Sequence, residues 1–108
     1  MRQINSIEEI NDLKNKYDML LLYFSGGMCS VCQSLMPKIE TMIESYPDII
    51  TAQVDIQKYS ALAAGFQVFT VPVVILFVKG QETIREAGVF SLMNLEEKIA
   101  RYVAFLQD

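Results

Sequence analysis

Two cysteines three positions apart, Cys29-Ser30-Val31-Cys32, carry the clearest chemistry in this 108-residue chain. In the first turn of a helix, side chains at i and i+3 share a face with their Cα atoms about 5 to 6 Å apart, which suits a reversible disulfide. The pair follows the apolar run Met19 to Phe24 and opens an amphipathic stretch. That places it between a buried strand and the next helix, where open α/β sheets hold their ligands. Cys29, at the helix start, meets unpaired backbone N–H groups and the positive end of the helix dipole; both favour its thiolate, so it is the expected nucleophile. Cys32, one turn in and partly covered, is the expected resolving thiol, placed to attack a mixed disulfide formed on Cys29.

The remaining composition narrows the choice. With two cysteines and no histidine, one chain offers zinc only two thiolates, and a four-thiolate site or a bridged iron–sulfur cluster would require two chains. No metal or bound cofactor is expected. Without histidine there is no Ser/His/Asp nucleophile system, and Gly26-Gly27 lack the rest of a phosphate-cradling loop; they are expected to let the backbone turn tightly before Cys29. Nine basic residues against thirteen acidic ones give a net charge of -4 with the cations scattered, so nucleic acid and anionic membrane are not expected partners. The longest apolar stretch, Val68 to Val78, is interrupted by Thr70 and Pro72 and falls short of the roughly 20 residues of a membrane span. The first residues lack the apolar core of a secretory signal, which points to a reducing cytoplasm. There a cysteine pair is catalytic, redox-sensing or metal-binding rather than structural. A chain of this length buries roughly two-thirds of its unfolded surface, enough for a single domain over 1–108 without covalent staples.

Hydrophobic periodicity supplies the elements that must position the pair. Ser6 with Glu9 reads as a capping box before a helix over about Ile7 to Lys16. Met19 to Phe24 lacks alternation, as a strand covered on both faces does. Val31, Leu35, Ile39, Met42 and Ile43 fall on one stripe of a helix over Ser30 to Tyr46, which Pro37 should kink rather than end. A second buried strand is predicted at Ile49 to Asp55 and a short helix near Ser60 to Gly65. Val73 to Val78, the turn Lys79-Gly80-Gln81, and Glu82 to Gly88 form an antiparallel hairpin, followed by a final amphipathic helix from Leu92 to Leu106. A short first strand fits Arg2 to Asn5. The order predicts a three-layer α/β sandwich: a central mixed sheet with parallel inner strands, an antiparallel C-terminal edge hairpin, and helices on both faces.

Several spaced features together resemble the thioredoxin family over essentially the whole chain. They are the cysteine pair after a hydrophobic strand, Pro37 five residues past Cys32, the Val71-Pro72 pair, the apolar strand after it, the Lys79-Gly80 turn and the lone Gly88. The resemblance implies a thioredoxin-like fold and reduction of protein disulfides without a bound cofactor. Electrons would come from a thioredoxin reductase, and the protein would act as a monomer. It also implies that Pro72 is cis and lies against the cysteines, that Val71 offers backbone hydrogen bonds to an extended substrate, and that Met28, Ser30 and Val31 line the contact surface.

The departures from the family pattern matter as much. The usual Trp-Cys-Gly-Pro-Cys is here Met28-Cys29-Ser30-Val31-Cys32, so an adaptable thioether replaces an aromatic surface. Where thioredoxins carry a buried acid that assists proton transfer at the resolving thiol, this chain has Tyr23, a poor base at neutral pH. Two other readings stand beside the main one. Thr70-Val71-Pro72 also resembles the glutathione-binding segment of glutaredoxins, and a thioredoxin scaffold can serve as a non-catalytic partner-binding module. Phe66 and Phe69 are candidates for the groove, with core packing expected for at least one. Tyr23, Phe24 and Phe77 are expected in the core.

Overall fold

A computed structural model describes residues 1–107. The elements run β1 (Arg2–Gln3), α1 (Ile7–Lys16), β2 (Met19–Ser25), α2 (Ser30–Ile43), β3 (Ile49–Asp55), α3 (Ser60–Gly65), β4 (Val73–Val78), β5 (Gln81–Ala87) and α4 (Leu92–Gln107). They form one five-stranded sheet in the order β1-β3-β2-β4-β5. β1 and β2 lie parallel to β3, whereas β4 runs antiparallel to β2 and β5 antiparallel to β4.

β2 is the central strand, which is why its sequence is apolar at consecutive positions. Side chains alternate across a strand, and both faces are covered here. Leu20, Leu22 and Phe24 pack with Ile10 and Leu13 of α1 and Ala63 of α3. Met19, Leu21 and Tyr23 pack with Cys32 and Ile39 of α2 and with Leu95 and Ile99 of α4. Six β2 side chains, Met19 through Phe24, are buried, and each such large apolar side chain contributes about 1.5 to 3 kcal/mol of transfer free energy.

The ends of the elements show local chemistry at work. Ser6 Oγ accepts the Glu9 N–H at 3.3 Å and caps α1, while Glu9 Oε1 accepts the N–H of Asn5 at 3.4 Å, one residue further back than a standard capping box. α2 continues through Pro37 but ends at Ile43, short of the expected Tyr46. Beyond Ile43 the bonds tighten to i−3 partners, Ser45 N–H to Met42 O and Tyr46 N–H to Ile43 O. Tyr46 still packs on the α2 face of the sheet, which explains why the apolar stripe runs past the helix. The hairpin turn is shorter than expected. Lys79 and Gly80 have φ of 51° and 80°, and Val78 pairs directly with Gln81, so two residues of positive φ close the loop. The register then shifts between Leu76 and Phe77, leaving Thr83 unpaired, with its hydroxyl donating to Leu76 O at 3.1 Å. Among the described residues no helix is long and apolar enough to cross a membrane.

Candidate active site

The cysteine pair sits where β2 hands the chain to α2. Cys29 is the N-cap of α2, extended at φ −97° and ψ 101°, and its Sγ accepts the N–H of Cys32 at 3.1 Å. A sulfur thus takes the place a serine or aspartate oxygen fills at most helix starts, and the backbone donor stabilises negative charge on it. The two cysteines are joined as a disulfide with their Cα atoms 5.2 Å apart, inside the range that permits the bond without backbone movement. Cys32 is 3% exposed and belongs to the packing between sheet and α2, whereas Cys29 is half-buried. An incoming disulfide therefore meets Cys29 first.

The loop before the pair closes a turn in which the Cys29 N–H donates to Gly26 O at 3.2 Å. The expected turn is present, but neither Gly26 nor Gly27 needs positive φ to make it. What Gly27 provides is space: a Cβ there would meet Gln57 Oε1 at 3.1 Å, the same oxygen that accepts the Gly27 N–H at 3.2 Å. Opposite the loop, the Val71-Pro72 peptide bond is cis. Pro72 is buried, and its carbonyl accepts the Gly88 N–H at 2.9 Å, while Val71 is half-buried beside the cysteines. Between loop and Val71 runs a groove of about 240 Å³ lined by Gly26, Met28, Cys29, Ile56, Gln57 and Val71.

A disulfide at a strand-to-helix junction, sharing an apolar groove with the valine of a cis Val71-Pro72 bond, has close counterparts. The family profile described as Thioredoxin matches residues 5–101. The chain belongs to the thioredoxin family. It is 30% identical over 101 residues to the thioredoxin-like protein YdfQ of Bacillus subtilis, covering 94% of this chain and 90% of that one. It is 27% identical to a thioredoxin of Ophiophagus hannah over 79% of this chain and 80% of that one. Among solved structures, a point-mutant thioredoxin from Halobacterium salinarum superposes with a TM-score of 0.85 at 28% identity, covering 94% of this chain and 89% of that one. Fasciola hepatica thioredoxin gives 0.83 at 26%, covering 94% and 98%. With the redox-active pair in place, this thioredoxin-family chain is a thiol–disulfide oxidoreductase.

Within that thioredoxin frame the predicted site residues separate into groups. Met28, Cys29 and Val71 meet in the groove, with Met28 91% exposed. Ser30 and Val31 are exposed on the first turn of α2 and do not line it. Pro37, further along α2, is exposed beside Lys38, Thr41, Met42 and Leu92, away from the groove. Tyr23 is buried beneath the pair, and its hydroxyl donates to the Cys32 carbonyl at 2.8 Å. Burial pushes its phenol pKa up to about 12, so at neutral pH it is a fixed donor.

Phe66 stacks in the core against Phe24 and Phe77, with ring centroids 6.0 and 5.9 Å away, while Phe69 is exposed; neither lines the groove. Ile56 and Gln57 are not among the sequence candidates. Their signal is positional: they follow the carboxyl end of β3, beside the carboxyl end of β2, where sheets of this type gather their sites. Among the described residues no three of Cys, Asp and Glu converge as a metal site. A larger hollow of about 620 Å³ between β5 and α4 shares no residue with the groove, and two of its cations are engaged, Arg85 by Glu82 and Lys98 by Glu86.

Proposed function

We propose that this thioredoxin-family protein is a single-domain, cytoplasmic monomer that reduces protein disulfides, with Cys29 as nucleophile and Cys32 as resolving thiol. The observation that carries the reading is the asymmetry of the pair: Cys29 lies half-buried at a groove under a helix N-terminus, and Cys32 is 3% exposed one turn behind it. The Cys29 thiolate attacks one substrate sulfur, forming a mixed disulfide, while the other substrate sulfur leaves as a thiolate and takes a proton. Cys32 gives its proton to water, attacks Cys29 Sγ and releases the second substrate thiol. Two electrons pass to the substrate, the protein ends as its Cys29–Cys32 disulfide, and a thioredoxin reductase returns the electrons. No bound cofactor enters the exchange. Val71 and Pro72 shape the bed for an extended substrate, and Met28 supplies apolar contact at the rim.

Thr70-Val71-Pro72 favours glutathione as a second reading, but the groove lining holds no cation to pair with the carboxylates of that tripeptide. Dithiothreitol-driven reduction of insulin tests the proposal. The wild type should turn over, Cys29→Ser should be inactive, and Cys32→Ser should accumulate mixed disulfide. Activity surviving in Cys29→Ser overturns the mechanism; turnover with glutathione and none with a thioredoxin reductase transfers the protein to the second reading.

A further inference from the structure

The groove beside Cys29 has one polar side chain, and its orientation is settled by a bond it already makes. Gln57 accepts the Gly27 N–H through Oε1 at 3.2 Å. An N–H can be accepted only by the oxygen of an amide, so the assignment of the two ends of Gln57 follows. Its backbone is tied down as well, its N–H donating to Asp55 Oδ1 at 2.9 Å. The side-chain NH₂ donates to no protein group among the described residues, and the side chain lines the groove together with Cys29, Met28, Ile56 and Val71.

Gly26 forms the floor between the two walls. A Cβ built on it would stand 3.7 Å from Val71 Cγ2 and 3.8 Å from Gln57 Cγ, so glycine here keeps open the gap between Val71 and Gln57. Apart from the Cys29 thiolate of the reduced protein, the lining carries no formal charge. A ligand in this gap meets apolar walls, the Gln57 side chain, whose amide carries the unengaged donor, and Cys29. Held by its own acceptor, that donor loses little side-chain freedom on binding.

We infer that Gln57 is a specificity-determining residue: its NH₂ donates to a backbone carbonyl of the substrate beside the reacting cysteine, selecting extended peptide disulfides with uncharged, apolar flanks over compact disulfides that present no peptide carbonyl. The inference rests on the reading of the protein as a disulfide reductase acting through Cys29. It assigns Gln57 no part in the chemistry of the sulfurs. The Gly27 brace is the structural half of its role and the free donor is the selective half.

The two halves separate by substitution. Gln57→Glu keeps an oxygen for the Gly27 N–H and removes the donor, Gln57→Leu removes both, and Gly26→Ala narrows the gap by a methyl whose contacts are of ordinary van der Waals length. Each variant is assayed for KM and kcat with insulin and for attack on the uncharged 2-hydroxyethyl disulfide, which has no peptide carbonyl. Losing one such hydrogen bond should raise the insulin KM about three- to tenfold in Gln57→Glu and Gln57→Leu, over and above any change with the small disulfide that follows from the Gly27 brace or the new charge. Gly26→Ala should show the same split. The small substrate also reports thiolate reactivity, so a charge effect of the new glutamate on Cys29 would move both substrates together. Parallel changes in the two substrates, or an unchanged insulin KM in Gln57→Glu and Gln57→Leu, overturn the inference while leaving the reductase reading intact. Failure of the wild type to reduce insulin defeats the reductase reading instead.

Discussion

The phenol oxygen of Tyr23 lies 2.8 Å from the carbonyl oxygen of Cys32 and is the donor in that bond. The hydroxyl under the resolving cysteine therefore holds the first turn of α2 to the sheet and does not take a proton from the thiol. Tyr23→Phe should cost about 1 kcal/mol in denaturant unfolding and leave the pH profile of mixed-disulfide resolution unmoved. Tyr23→Asp, which supplies a carboxylate, should speed resolution of a mixed disulfide trapped on Cys29. Stopped-flow release of a labelled substrate thiol reads the second effect, and an aspartate variant no faster than wild type would refute proton loss to water as the slow path.

Burial of the same phenol sets an alkaline limit to stability. In the unfolded chain it titrates near 10 and in the folded one at about 12, so between those values the native state holds a proton that the unfolded state has lost. Stability is then complete below the lower value and falls as pH rises toward the upper one. Tyr46, raised by burial and by Glu96, adds to the slope in the same direction. Urea titrations of the disulfide form at a series of pH values above about 9 should show this fall, shallower in Tyr23→Phe.

Accessibility makes the two thiols of the reduced protein unequal. Iodoacetamide at neutral pH should alkylate Cys29 well before Cys32, because the N-cap position favours its thiolate and Cys32 is 3% exposed. Peptide mass spectrometry after brief treatment checks the order; equal labelling would remove the asymmetry on which the assignment of roles stands.

Met28 exposes 91% of its surface at the groove rim, so it is open to peroxide. Oxidation of the disulfide-protected protein should convert its thioether to the polar sulfoxide and weaken apolar substrate contact. The expected result is a raised KM for insulin with little change in thermal stability, reversed by methionine sulfoxide reductase. Mass analysis separates Met28 from the other exposed methionine, Met93.

At the hairpin, Lys79 holds φ at 51°, a left-handed conformation that asparagine tolerates better. Lys79→Asn should stabilise the protein by up to about 1 kcal/mol, read as a rise in the midpoint of urea unfolding.

How much of this is legible in the sequence depends on the range of the interactions that decide each feature. α1 at Ile7–Lys16, β3 at Ile49–Asp55, α3 at Ser60–Gly65 and β4 at Val73–Val78 follow from cap, period and punctuation within their own windows. The end of α2 does not, because Tyr46 keeps the apolar stripe while its backbone has already tightened. Gln81 reads as part of the turn because nothing local announces that Lys79 accepts positive φ. At the site, the cysteine pair and Val71-Pro72 are visible through spacing. Gln57 is not, since its bond to Gly27 spans thirty residues and exists only once β3 pairs with β2. Likewise the direction of the Tyr23 hydroxyl depends on where α2 lands on the sheet.

The alternation of side chains along β2 gives the molecule two separate interiors divided by the backbone of the sheet, and the resolving sulfur belongs to only one of them. A bulky label or crosslink on α1 or α3 presses toward Leu20 and Phe24, while the same graft on α4 leans on Leu95 and Ile99, which share a compartment with Cys32. Immobilisation of this protein thus has a quiet side and a sensitive side, and the quiet one is the α1 surface, since Ile56 and Val71 of the groove pack in the compartment of α3.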